Sequence, residues 1–150
     1  MIGDDCRIFG SIDHGHEYLV TLGNRVILAS DSRILTHDGS TSFLGYSKVG
    51  HVDIGDDAFV GASAIILPNV KIGSKVIIGA GSVITKDILD NSVVVGNPAH
   101  IIGSYDEYVM KNKLLFEEYP IWHTHYSQKS DREKQEMKAT LLRSGWGFDK

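Results

Sequence analysis

Cysteine is almost missing from this chain of 150 residues, which has only Cys6. A single thiol excludes a disulfide within the chain and a zinc site built from several thiolates. No apolar run approaches the roughly 18 residues that a membrane-spanning helix needs. Two acidic residues, Asp4 and Asp5, stand where a signal peptide carries basic ones. We therefore expect a cytoplasmic protein that does not span a membrane.

Positive charge is also in short supply. Fifteen Lys and Arg residues face nineteen Asp and Glu residues, so the formal net charge is -4. This balance argues against a surface built to hold nucleic acid, although a local basic patch can still bind one nucleotide. A hydrophobic content of 42% and a charged content of 23% are ordinary for one globular domain.

What the chain has instead is a repeat of six residues. From residue 54 it divides into IGDDAF, VGASAI, ILPNVK, IGSKVI, IGAGSV and ITKDIL, and every block begins with Ile or Val. Upstream, LGNRVI, LASDSR, ILTHDG and the pair beginning at Ile2 and Ile8 follow the same pattern. A helix scatters positions of this period around its circumference, whereas a short strand and a corner per block bring each first residue inside a coil.

Three such blocks close one triangular turn. Turns stacked at the strand spacing of about 4.8 Å make a parallel β-helix with an aliphatic ladder inside. The repeat pattern ends after Ile84, so we predict an all-β domain over residues 1–103.

The remaining residues, 104–150, predict a helical extension. Apolar residues at helical spacing indicate a helix from about Ser104 to Glu117, and Pro120 then interrupts the pattern. The stretch SDRE at 130–133 has the form of a capping box, which opens a second helix that runs to about Leu142.

The repeat loses its register after ILTHDG. The next aliphatic block begins at Ile54, 20 residues after Ile34 and out of phase by two with a full turn of 18. We therefore expect residues 38–51 to protrude from the coil, with His37 beside them. An imidazole with the ordinary pKa of about 6.5 is mostly neutral near pH 7, and a placed general base contributes about 10² to 10⁴ in rate. The alternative is a solvent-facing corner in which Asp38 forms a turn.

Residues from about Thr21 to Ile102 resemble the hexapeptide-repeat acyltransferases, through IGAGSVITKDI, VVVGNPAHII and ILTHDGS. The resemblance is to galactoside, maltose and serine O-acetyltransferases and to the shorter O-acetyltransferases of capsule and lipopolysaccharide synthesis. It implies a left-handed β-helix, although most parallel crossovers are right-handed. It also implies acetyl-CoA as co-substrate and a homotrimer with sites between subunits. Since the repeats begin almost at the first residue, we expect the surface-polysaccharide branch.

The resemblance assigns roles to particular residues. His37 matches the family's general base, and Asp38, Asp13 or a backbone carbonyl orients it; the sequence leaves that choice open. Gly61 and Ala62 match a position that helps stabilise the thioester oxygen through a backbone N–H, or else they are only slim corner residues.

Other matching positions concern the coenzyme and the acceptor. Small or basic residues line the coenzyme arm and its phosphates in the family. A histidine replaces the Arg or Lys that several relatives carry after GNPA, which weakens that phosphate contact. The coenzyme positions are Ala80, Thr85, Lys86 and His100, and the candidate acceptor contacts are Asp13, Asn24 and Tyr46.

Three other functions are weaker. A γ-class carbonic anhydrase needs histidines that GASAII does not contain, and the pairs His14 with His16 and His123 with His125 have no third ligand, so we expect no metal. N-acetylation of a nucleotide-linked amino sugar usually involves an additional N-terminal domain. A scaffold without activity has no need of GAGSVITKD. We therefore favour an O-acetyltransferase acting on a sugar hydroxyl.

Overall fold

The computed structural model describes residues 1–150, which form two compact units, Met1–Asp106 and Glu107–Lys150. The first unit is a coil of short parallel strands, and the second contains helices and one pair of short strands. The predicted β-helix of hexapeptide repeats, followed by helices, is confirmed. The division after residue 103 stays a prediction.

The strands of the first unit are two to five residues long. In chain order they are β1 (Arg7–Ile8), β2 (Ser11–Ile12), β3 (Val20–Leu22), β4 (Ile27–Leu28), β5 (Arg33–Ile34), β6 (His37–Asp38), β7 (Lys48–Val49), β8 (Val52–Ile54), β9 (Phe59–Val60), β10 (Ile65–Ile66), β11 (Val70–Ile72), β12 (Val76–Ile78), β13 (Val83–Ile84), β14 (Ser92–Gly96) and β15 (Ala99–Gly103).

These strands form the three faces of the coil. The first face contains β3, β8 and β11, the second contains β1, β4, β9, β12 and β14, and the third contains β2, β5, β10 and β13. Pairing within each face is parallel. Two antiparallel pairs depart from it: β15 folds back on β14, and β6 pairs with β7 outside the three faces.

The interior of the coil is a set of aliphatic ladders. Each inward side chain lies next to its equivalent in the following turn, and all of these side chains are 9% exposed or less. Burying one such side chain stabilises the fold by about 1.5 to 3 kcal/mol. By face the ladders are Leu22, Ile54, Ile72 and Ile88; Leu28, Val60, Ile78 and Val94; and Ile34, Ile66 and Ile84.

The corners explain the glycine at the second position of the repeat. A β-carbon on Gly55 would lie 2.7 Å from the backbone nitrogen of Ser74 in the next turn. No rotamer change relieves such a contact, because the obstacle is backbone. Side chains are excluded wherever successive corners stack this closely.

Insertions and deletions interrupt the repeat without breaking the ladders. Ile34 pairs with Ile66, 32 positions later instead of 18, so 14 residues leave the coil between β5 and β8. The expected phase shift of two was therefore the visible remainder of a 14-residue insertion. The expected end of the pattern after Ile84 was wrong, because Val94 still pairs in parallel with Ile78 across a turn shortened to 16 residues.

The second unit contains most of α1 (Tyr105–Glu118) and all of α2 (Asp131–Ser144), with β16 (Ile121–Trp122) parallel to β17 (Phe148–Asp149). The predicted capping box opens α2. The side chain of Lys129, 3% exposed, contacts the carboxylate of Asp149 and so ties the C-terminal strand to this unit. No helix of the chain combines the length and the apolarity that crossing a membrane requires.

The close stacking of corners can be tested with two glycines. Gly55→Ala must push the next turn away, so we expect its free energy of unfolding to fall by more than about 1 kcal/mol. Gly39→Ala is the matched control, because its β-carbon meets no atom within 4 Å. We expect the control to change by less than about 0.5 kcal/mol in urea unfolding followed by circular dichroism. Equal midpoints for the two variants would contradict the proposed packing.

Candidate active site

His37 lies where the chain leaves the coil. Thr36, which is fully buried, ends the third-face turn, and His37 begins the hairpin of β6 and β7. A 3-10 helix, Gly39–Leu44, fills the hairpin. The predicted protrusion over residues 38–51 is therefore an ordered excursion that begins beside the histidine.

Asp13 is the group that contacts the His37 ring. Asp13 lies one turn earlier, just after β2, and its backbone N–H donates to the carbonyl of Ile34 at 2.9 Å. Its Oδ2 lies 2.5 Å from Nδ1 of His37 and accepts from the His37 N–H at 3.1 Å. The same oxygen accepts from the N–H and the hydroxyl of Thr36, each at 2.9 Å. The stacking of two turns thus brings together residues 24 positions apart.

This contact fixes the tautomer of His37. A carboxylate only accepts hydrogen bonds, so Nδ1 carries the hydrogen that Asp13 receives. The lone pair of the neutral ring is then on Nε2, which makes no hydrogen bond within the chain. The His37 side chain is 43% exposed, so this nitrogen can meet a reactant.

Asp13 itself is held as an anion. Its side chain is only 10% exposed, and this burial alone raises the pKa of its carboxyl. Hydrogen bonds from Thr36 and His37, and the charge of His37 when protonated, outweigh burial and hold that pKa below its ordinary value. A buried anion at this position stabilises a positive charge on the imidazole ring.

Asp38 occupies a different place from the one expected of an orienting group. Its side chain accepts from the Ser40 N–H at 2.9 Å and lies 3.8 Å from Nζ of Lys48. The Ser40 N–H and hydroxyl, with the charge of Lys48, hold the pKa of the Asp38 carboxyl below its usual range. Asp38 therefore caps the 3-10 helix of the hairpin, while Asp13 contacts the ring of the histidine.

The expected coenzyme residues fall on two different corners. Gly61, Ala62 and Ala80 lie at the corner that precedes the third face, whereas Thr85 and Lys86 lie at the corner that follows it. Asp13 and His37 share the second of these corners. The chain alone therefore holds the base and the small-residue corner at opposite edges of one face.

Gly61 and Ala62 differ in what they can offer. The Gly61 N–H donates to the carbonyl of Ile78 at 2.8 Å, as part of the stacking between turns. The Ala62 N–H has no hydrogen-bond partner, and the residue is exposed. Of the two, only Ala62 has an N–H available to a developing negative charge.

The remaining candidates have separate surroundings. Asn24 is at the corner between the first and second faces, where it accepts from the Asp4 N–H at 2.9 Å and donates to Asp56, so it links three successive turns. Tyr46 is in the hairpin, with 80% of its surface exposed. His100 is on β15, opposite Val95 and packed over the backbone of Gly96.

Sequence reasoning missed His16. Its ring centroid lies 5.6 Å from that of His37, and its Nδ1 is buried without a hydrogen-bond partner. His14, its expected chelating partner, instead contacts Glu17 at 3.3 Å in solvent. The step of ten residues from Ile12 to Leu22, in place of six, was the signal that a second excursion lies next to the histidine.

Comparisons with known proteins agree with this geometry. Residues 51–86 match the bacterial transferase hexapeptide family (six repeats). Protein CapG of Staphylococcus aureus is 45% identical over 121 residues, covering 74% of this chain and 69% of CapG. The chain belongs to the hexapeptide-repeat acetyltransferase superfamily.

Two solved acetyltransferases have a similar fold. A hexapeptide-repeat acetyltransferase from Vibrio cholerae, complexed with acetyl coenzyme A, has a TM-score of 0.62 at 25% identity and covers 69% of this chain and 59% of its own. A maltose O-acetyltransferase from Clostridium difficile has a TM-score of 0.50 at 30% identity, with 69% and 66% covered. The chain therefore spans less than two thirds of each of these structures.

The charge on Asp13 predicts a pH-dependent contribution to stability. Because its folded-state pKa is depressed, the carboxylate stabilises the fold above about pH 4, the ordinary aspartate pKa, and this is lost as the pH falls through the folded-state value. We expect Asp13→Asn to lower the free energy of unfolding by about 1 to 3 kcal/mol at pH 7, and by less at pH 3. Urea unfolding at both pH values measures the difference.

Asp31→Asn is the matched control for this experiment. Asp31 is exposed at a corner with φ of 60°, a conformation that asparagine tolerates. We expect its effect to stay below about 0.5 kcal/mol at either pH. An equal loss for Asp13→Asn at pH 7 and at pH 3 would mean that the charge of Asp13 is not what stabilises this site.

Proposed function

We propose that this chain is an acetyl-CoA-dependent O-acetyltransferase that acetylates a sugar hydroxyl of a surface-polysaccharide precursor. The observation that carries the proposal is the contact of 2.5 Å between Asp13 and Nδ1 of His37, in a member of the acetyltransferase superfamily. It leaves Nε2 as an accessible acceptor for a proton. Acetyl transfer to a hydroxyl requires such a base.

His37 acts as the general base in a direct transfer. Its Nε2 takes the hydroxyl proton as the sugar oxygen attacks the thioester carbonyl, and Asp13 stabilises the imidazolium that forms. The tetrahedral intermediate carries its negative charge on the former carbonyl oxygen, where a backbone N–H such as that of Ala62 can donate. The carbon–sulfur bond then breaks, and the imidazolium returns its proton to the departing thiolate.

The donor is expected along the small and basic residues of the corners. Acetyl coenzyme A supplies an activated acyl group as a thioester, and the related structure from Vibrio cholerae was solved with it. Ala62 and Ala80 are exposed and small, so the thin pantetheine arm can approach their backbone. Lys86 is exposed and makes no ion pair within the chain, so its ammonium group can meet a phosphate.

A sugar acceptor is supported by the maltose O-acetyltransferase among the relatives. The surface-polysaccharide assignment is supported by the sequence resemblance described above. The hairpin beside His37 exposes Phe43, Leu44 and Tyr46, each at 64% or more. In our proposal this surface helps to enclose the acceptor in the assembled enzyme.

We propose a homotrimer with its sites between subunits. The support is the placement of His37 and Ala80 at opposite edges of the third face, which a second copy of the chain can bring together. A cyclic trimer provides three such sites by symmetry. The exposed apolar residues of the hairpin also favour contact with another chain.

Removal of the base tests the mechanism. We expect His37→Ala to bind acetyl coenzyme A as the wild type does, in calorimetry, while acetyl transfer to sugar acceptors falls by about 10² to 10⁴. His51→Ala is the control, since His51 is also exposed near the hairpin but contacts Asp53, 3.3 Å away. An amino-sugar panel run in parallel separates O-acetylation from N-acetylation.

Three results would count against the proposed function. Wild type that does not bind acetyl coenzyme A would indicate a scaffold. Full activity in His37→Ala would remove the proposed base. Turnover of amines but not of hydroxyls would assign the N-acetyl reaction instead.

Complementation between inactive chains tests the shared site. We expect Ala80→Trp to block the coenzyme arm and His37→Ala to remove the base, so that each variant alone is inactive. Random co-assembly in trimers restores both intact halves at about one quarter of the sites. Light scattering checks that each single variant keeps the mass of the wild type. No recovery in assemblies of the correct mass would place the complete site within one chain.

A further inference from the structure

Asp13, His16 and His37 form a cluster of metal-binding atoms. Each offers one nitrogen or carboxylate oxygen, and the three atoms lie within 4.8 Å of one another. The chain contributes them from two excursions of the coil, residues 13–19 and the hairpin that begins at His37. Sequence spacing did not reveal this set, because the excursions meet only through the stacking of turns.

His16 gives this cluster a feature that the acetyl-transfer mechanism does not use. Its Nδ1 is buried and has no hydrogen-bond partner, although buried polar atoms are nearly always paired. The neighbouring ring is that of His37, at a centroid distance of 5.6 Å. An unpaired imidazole nitrogen beside a second imidazole and a carboxylate is an arrangement that a cation can complete.

The chemistry of the three donors selects the cation. Two imidazole nitrogens and one carboxylate form a ligand set that zinc uses, with bonds of about 2.0 to 2.2 Å. Calcium and magnesium prefer oxygen ligands instead. A tetrahedral zinc site with such bonds needs its ligand atoms about 3.4 Å apart, so the cluster must contract slightly. The 43% exposure of the His37 side chain leaves space for that movement.

We propose that Asp13, His16 and His37 bind a zinc ion, and that this ion inhibits the enzyme. Either ring nitrogen of His37 gives the same result. Zinc on Nε2 occupies the lone pair that accepts the proton. Zinc on Nδ1 displaces the hydrogen to Nε2, which then no longer accepts one. Metal binding itself does not depend on the proposed function, whereas the inhibition does.

Calorimetry with zinc chloride tests the binding directly. We expect one zinc ion per chain in the wild type and an affinity at least tenfold weaker in His16→Ala. His14→Ala is the matched control, because His14 is two residues away and its side chain is fully exposed. We expect its affinity to equal that of the wild type. Circular dichroism confirms that each variant is folded.

Two binding results would overturn the site. One is a wild-type chain that takes up no zinc in calorimetry. The other is an equal affinity in wild type and His16→Ala, or an equal loss in His14→Ala and His16→Ala. Both comparisons use zinc alone, so they remain decisive even if the chain transfers no acetyl group.

The inhibition is measured by formation of the acetylated product, since the free thiol of coenzyme A binds zinc itself. We expect zinc to inhibit the wild type and a chelator to restore activity. His16→Ala should keep its basal activity and need at least tenfold more zinc for the same inhibition. Equal sensitivity of the two proteins, or a zinc-loaded wild type with full activity, would overturn the inhibitory role.

Discussion

The fold depends on one constraint, which is that every turn of the coil must stack on the next at the spacing of hydrogen-bonded strands. This spacing allows an aliphatic side chain inside each face, and it allows almost nothing at the corners. Ile66 is fully buried between its neighbours in the ladder, while Gly55 has no room for a β-carbon. The six-residue pattern of the sequence is the direct expression of these two requirements.

The same constraint determines where chemistry is possible. A regular turn commits its backbone groups to the turns above and below, as the Gly61 N–H does with Ile78. Side chains with freedom to react therefore occur where the chain leaves the coil. The two excursions, at residues 13–19 and 37–49, begin at the same corner of adjacent turns. Their closeness puts a carboxylate beneath an imidazole and holds both in place.

That closeness also gives the site two possible uses. Oδ2 of Asp13 accepts hydrogen bonds from both Thr36 and His37, and the resulting anion fixes the hydrogen on Nδ1 of His37. A base oriented in this way is suited to proton transfer. A second imidazole, that of His16, adjoins the same pair with a buried and unpaired nitrogen. Proton transfer and zinc binding then compete for one ring, which is the physical basis of the proposed inhibition.

The sequence by itself determined the β-helix, the two C-terminal helices, the excursion after His37 and the importance of that histidine. Each of these is a local signal: a period of six, a capping box and a loss of register. Only the tertiary structure decided that Asp13, and not the adjacent Asp38, contacts the ring, that Val94 still belongs to a ladder, and that His16 joins the site. These depend on which residues meet across stacked turns. Insertions and deletions change the number of residues per turn, so sequence distance no longer indicates which residues lie above one another.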